Sequence, residues 1–179
     1  MVVRRAVIMN LRYAINETEF LELSETATSA FEAHKQVKRR KEAGGILLGT
    51  VYPSERVLIS EVTLPSRFDK AGLYFFDRSR RRAQQIVDRC WKRSLGECIY
   101  LGEWHTHPEP VPSPSGRDRT MIRNMFDQTQ MEIDFLFLVV VGTESTWVGI
   151  QNQDGVRALE PVLNESAETV SSVICPILM

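Results

Sequence analysis

Two histidines two residues apart, His105 and His107, follow directly on an apolar run of Cys98, Ile99, Tyr100 and Leu101. This arrangement constrains the chain more than any other feature. The run reads as a strand over Glu97 to Trp104 that delivers the pair. Residues i and i+2 of a strand point to the same face, so both imidazoles project together. Pro108, Pro110, Pro112 and Pro114 then stiffen the connection by fixing φ. Ser115 and Asp118 open the next segment, where Met121, Ile122, Met125 and Phe126 recur at helical spacing in phase with Asp118. The Asp118 carboxylate is therefore expected to face inward. Two histidines and one carboxylate make a three-donor set for a catalytic zinc, with the fourth position open to water. Each part also has a plain structural reading. A His-x-His pair can sit on a half-exposed strand, and Ser-x-x-Asp can be a helix N-cap with an acid in the first turn. The capping and metal readings are compatible.

His105-Thr106-His107-Pro108 followed by Ser115-x-x-Asp118 resembles the JAMM motif of the JAB/MPN metalloproteases. Glu42, ahead of Gly44-Gly45-Ile46-Leu47-Leu48-Gly49, matches the glutamate that completes that motif upstream. The resemblance covers roughly Phe20 to Gln151. It implies an α+β, JAB/MPN-like (cytidine-deaminase-like) fold, a curved mixed sheet flanked by helices. It also implies Zn2+ held by His105, His107 and Asp118, Glu42 as general base, and Ser115 as hydrogen-bond donor to the developing oxyanion. Glu103 and Glu109 flank the histidines as candidate partners of their rings. From the residues alone Glu109 stays open as an alternative base.

Little sequence separates Asp118 from the next strand, which suggests a compact bacterial form. Glu-Trp-His-Thr-His-Pro with this N-terminal layout is most similar to bacterial members once labelled integrative and conjugative element proteins. Those include the deconjugating protease of CBASS anti-phage operons. The substrate implied is a protein: a ubiquitin-like or CD-NTase (cGAS-like) C-terminus joined to a target. A JAMM protease of another bacterial ubiquitin-like operon and a non-catalytic MPN scaffold are the other readings. A zinc deaminase is disfavoured, since it would carry Pro-Cys-x-x-Cys, which this chain lacks.

At 179 residues the chain suits a metalloprotease domain over 1–160 followed by a tail over 161–179. A net charge of −1 argues against bulk nucleic-acid binding. There is no apolar run long enough to span a bilayer, so no membrane partner is expected. The start lacks the apolar core of a signal peptide, and a cytoplasmic location is expected. Three cysteines without a Cys-x-x-Cys pair speak against a disulfide framework. Cys90 and Cys98 read instead as small buried hydrophobes. A cysteine nucleophile would have only His34 left as base.

The remaining elements follow from periodicity. An edge strand is expected within residues 1–14. A helix is expected over Ser24 to Lys41, burying Leu23, Ala27, Ala30, Phe31, His34 and Val37, with Lys38-Arg39-Arg40-Lys41 complementing its C-terminal dipole and Gly44 and Gly45 ending it. Ile46 to Tyr52 and Arg56 to Leu64 read as a hairpin across Pro53-Ser54-Glu55. Leu64 to Asp77 is irregular; the resemblance implies that this region, with Tyr74-Phe75-Phe76, flanks the substrate groove, and a simple aromatic core plug is the other reading. A second helix over Ser79 to Ser94 buries Ala83, Ile86, Val87, Cys90 and Trp91. Its other face carries Arg78, Arg80, Arg81, Arg82, Arg89, Lys92 and Arg93, either simply solvated or docking an acidic partner. A third helix is expected over Gly116 to Thr129, then strands over Asp134 to Val141, Thr146 to Gln151 and Gly155 to Leu159.

Overall fold

The structure, a computed structural model, describes residues 11–130 and 132–162. The apolar runs Val2-Val3 and Ala6 to Met9, Cys175 and the tail beyond Val162 lie outside the described residues. Within them the chain is α+β. In order come β1 (Leu11–Ala14), β2 (Phe20–Leu23), α1 (Glu25–His34), β3 (Gly44–Tyr52), β4 (Arg56–Val62), β5 (Lys70–Ala71) and β6 (Phe76–Asp77). There follow α2 (Arg80–Arg93), β7 (Ile99–Thr106), α3 (Gly116–Gln128), β8 (Leu136–Val141), β9 (Thr146–Asn152), β10 (Gly155–Ala158) and β11 (Glu160–Pro161).

Nine strands form one mixed sheet in the order β10-β9-β8-β7-β3-β4-β2-β1-β11. The β7–β8 and β2–β4 pairs are parallel. Central strands buried on both faces read as continuous apolar runs, and Leu136 to Val141 is buried at every position. Alternate residues feed opposite layers. Leu47, Leu101, Trp104, Phe137 and Val139 pack with Ala27 and Phe31 of α1. Ile46, Leu48 and Cys98 pack with Ala83 and Cys90 of α2. Leu136, Leu138 and Val140 pack with Ile122 of α3. Strand β7 is thus covered by α1 on one side and by α2 and α3 on the other. Among the described residues no helix is long and apolar enough to cross a membrane.

Serine caps all three helices: Ser24, Ser79 and Ser115 each accept a backbone N–H of the first turn. Four expectations are corrected. First, α1 ends at His34, seven residues before the expected Lys41. Lys35 turns extended, and the buried Gln36 donates to the Leu73 carbonyl at 2.6 Å. That tertiary bond overrides local helix propensity. Lys38 and Arg39 then take positive φ in a turn, Val37 is exposed, and the basic run complements no helix dipole. Second, Gly44 and Gly45 begin β3 rather than end a helix.

Third, Trp91 is half-exposed and lies off the apolar stripe of α2, against Gly96. Fourth, Cys90 and Cys98 form a disulfide with their Cα atoms 5.8 Å apart. The cause is the tight turn over 94–97, where Leu95 and Gly96 have positive φ and Ser94 Oγ accepts the Cys98 N–H at 2.8 Å. This turn folds the end of α2 back onto the start of β7, a proximity that counting cysteines does not reveal.

Candidate metal centre and cleft

β3 and β7 run antiparallel with Gly44 opposite His105. The ladder continues one step further: the Thr106 N–H donates to the Ala43 carbonyl at 2.8 Å, and the Ala43 N–H donates to Thr106 Oγ1 at 2.9 Å. Glu42, the next residue out, is thereby carried to the level of His107. It is buried, and its backbone N–H donates to the Gly72 carbonyl at 2.8 Å.

His105 is the penultimate residue of β7 and His107 lies just past its end, where its N–H donates to the Val141 carbonyl at 2.8 Å. Both rings are buried, and their Nε2 atoms approach to 3.1 Å. Asp118 spans them from α3, with Oδ1 at 3.2 Å from His105 Nε2 and Oδ2 at 3.3 Å from His107 Nε2. Its placement is set by a capping box: the Ser115 N–H donates to Oδ2 at 2.7 Å, and Ser115 Oγ accepts the Asp118 N–H at 3.2 Å. The helix cap therefore aims the carboxylate.

These three donors converge within 4.8 Å of one another. A tetrahedral metal bound at about 2.1 Å spaces its donors roughly 3.4 Å apart, so donor type and spacing both fit a metal ion. Burial opposes the Asp118 charge, but hydrogen bonds from His105 and His107 outweigh it and hold the carboxyl well below the usual range. Burial likewise works against the His107 cation, and the Asp118 carboxylate more than offsets it, raising the imidazole. Burial pushes Glu42 up to about 7, with Asp118 and Glu109 adding to the effect and His107 opposing it.

The five residues Glu42, His105, His107, Ser115 and Asp118 all line one cleft of about 280 Å³. Glu109 lines it too, half-exposed, with Oε2 at 3.4 Å from His107 Nδ1. Glu103 does not partner a histidine. It accepts the single Arg78 Nε–H shared between its two oxygens at 2.9 and 2.8 Å, a bond from Arg78 Nη2 to Oε1 at 2.5 Å that completes the fork, and one from the Tyr100 hydroxyl at 2.7 Å. Periodicity groups Arg78 with the basic face of α2 and gives no sign of its Glu103 partner. Arg78 actually precedes the Ser79 cap and points into the cleft floor. Periodicity misses Arg117 as well, whose guanidinium stands 5.6 Å from the Phe75 ring centre across the cleft mouth.

Residues 24–158 match the family described as prokaryotic homologs of the JAB domain. A Pseudomonas aeruginosa protein named CD-NTase/cGAS isopeptidase is 41% identical over 101 residues, covering 56% of this chain. That stretch spans 63% of the Pseudomonas protein, a little under two thirds of its length. A Vibrio cholerae protein of the same name is 30% identical over 122 residues, covering 68% of this chain and 74% of that one. An Escherichia coli protein, again so named, is 28% identical over 120 residues, covering 66% and 73%. The solution structure of a Desulfitobacterium hafniense protein shares the fold, with a TM-score of 0.56 at 20% identity over 77% of this chain and 88% of that one. With three quarters of its length inside the family's bounds, the chain belongs to the prokaryotic homologs of the JAB domain.

Proposed function

We propose that this protein is a zinc-dependent isopeptidase. On this reading it cleaves after the C-terminus of a CD-NTase, or of a ubiquitin-like protein, conjugated to a target, within a bacterial anti-phage (CBASS) conjugation system. The observation that carries the reading is the convergence of His105, His107 and Asp118 in a cleft that also holds the buried Glu42. The isopeptidase names of the relatives from Pseudomonas, Vibrio and Escherichia support the substrate class.

A zinc ion held by these three donors would lower the pKa of water and polarise the scissile carbonyl. Glu42 accepts the proton of the attacking water and passes it to the leaving amine. Burial raises this carboxyl in the metal-free protein, and a neighbouring cation would draw it down again, leaving it ionised and ready to take the proton. The Ser115 oxygen accepts the Asp118 N–H, which leaves its hydroxyl hydrogen free to stabilise negative charge on the carbonyl oxygen. Glu109 meets His107 at Nδ1, the nitrogen turned away from Asp118, and so orients the ring. Glu42, not Glu109, is therefore assigned the base.

The test is cleavage of a conjugate or fusion ending in a CD-NTase C-terminus, with zinc content measured alongside. Wild type should cleave. Glu42→Ala should lose about 10²-fold or more in rate while keeping its zinc, and a chelator should abolish both. Bound zinc with no cleavage of any fusion would favour a scaffold, and no zinc would sink the reading.

A further inference from the structure

One wall of the cleft is an arm formed by β5, β6 and the tip between them, contributing Tyr74, Phe75, Phe76 and Asp77. The arm is only loosely part of the fold, since its two strands pair with each other and not with the main sheet. Its tip is tied to the residues before β3 by the Gln36 and Glu42 bonds to the carbonyls of Leu73 and Gly72. Its base is closed on itself by Asp69, which accepts from Ser66 and from the Ser79 N–H. At this base one side chain reaches across to β7, the strand bearing His105. Arg78, immediately after β6, forks onto Glu103, two residues before His105, and its Nη2 also meets Met125 Sδ of α3 at 3.7 Å. Arg78 therefore touches the elements that carry His105 and Asp118 as well as the arm. The guanidinium is 15% exposed and the carboxylate 7%, and the Tyr100 hydroxyl fills a further lone pair of Glu103. A fork of this kind fixes orientation in a way that a single surface contact does not.

We infer that the buried Arg78–Glu103–Tyr100 cluster is a positioning device for substrate, a latch that sets the cleft wall against the strand bearing the histidines. This rests on the proposed hydrolase reading for its kinetic consequence, though not for its structural one. Arg78 touches no donor of the metal set, so the latch acts on how the substrate segment is held rather than on the bond-breaking groups. Loss of the latch should weaken binding in the ground and transition states alike, which raises KM and leaves kcat nearly in place.

Arg78→Met alone strands a buried carboxylate and is prone to misfold. The informative variant is the full chain carrying Arg78→Met together with Glu103→Leu, which removes both charges at similar volume. The expected result is wild-type zinc content, a KM for a protein conjugate raised about tenfold with kcat within about threefold, and faster amide exchange over residues 70–77. Arg78→Lys should share the raised KM, because an ammonium cannot fork onto the carboxylate. Unchanged exchange over 70–77, or a fall in kcat at constant KM, overturns the latch. If wild type cleaves no conjugate, the hydrolase reading fails, and the exchange measurement still decides the latch.

Discussion

Gly44 and His105 face each other across β3 and β7, and this one pairing joins the Glu42 corner to the His105–His107–Asp118 cluster across 60 intervening residues. The contact leaves no room at Gly44: an added Cβ would lie 2.5 Å from Phe76 Cδ1 and 2.6 Å from the Trp104 carbonyl oxygen.

Gly44→Ala must therefore push β3 from β7 or displace Phe76, and the arm with it, away from β3. The expected cost is about 1–3 kcal/mol of stability, together with a loss of activity larger than that of an equally destabilised variant far from the cleft. Denaturant melts and cleavage rates on the same preparations check this. An active, fully stable variant would show that the close approach is not needed.

On the proposed function Ser115 would combine two jobs, helix cap and oxyanion donor, that a control can separate. Ser115→Ala should lower stability by about 1 kcal/mol through the lost cap and turnover by about 10²-fold through the lost oxyanion donor. Ser24 caps α1 in the same manner, accepting the Ala27 N–H at 3.2 Å, but does not line the cleft. Ser24→Ala should match the stability loss without the turnover loss. Equal turnover in the two variants would remove Ser115 from the chemistry.

The metal-free protein should carry a pH signature of Glu42. Its folded pKa of about 7 stands above the ordinary 4.5, chiefly through burial. The folded state therefore holds the Glu42 proton more tightly than the unfolded chain does. That contribution is complete below about 4.5 and is lost as pH rises through about 7, by about 3 kcal/mol at most. Glu42→Gln mimics the protonated carboxyl, so the melting free energies of the two proteins, measured without metal, should agree near pH 4 and wild type should fall progressively below the variant as pH rises towards 8. A flat difference would mean that Glu42 is not held in a desolvating site.

The Cys90–Cys98 disulfide closes a short loop between α2 and β7, with a sequence separation of 8. Reduction, or Cys90→Ser with Cys98→Ser, should cost about 2–3 kcal/mol by the chain-entropy account. Thermal melts with and without reductant give the number, and mass spectrometry gives the oxidation state. A thiol pair that never oxidises in the purified protein would contradict the bond.

Much of the site was legible along the chain because its signals are local. The apolar run ahead of His105, the i, i+2 pairing and the Ser115–Asp118 cap are short-range geometry, and the structure shows all of them. Glu42 was different. Nothing within ten residues of it marks a functional carboxylate, and only the family resemblance pointed to it.

What the sequence could not show is the phase of β7. Simple alternation puts Leu101, Glu103 and His105 on one face. A bulge at Leu101, with Gly102 at φ +142 and no space for a Cβ beside the Phe137 carbonyl, resets the pattern by one residue. Leu101 then packs with α1, while Tyr100 and Glu103 come to the same side and close the cluster with Arg78. The donor set and its capping helix were thus decided by the sequence alone, since both depend on neighbours a turn or a pleat away. The reach of Glu42, the end of α1, the disulfide and the Arg78 latch were decided only by the tertiary structure, because each depends on contacts between segments far apart in the chain or on a turn whose path periodicity does not set.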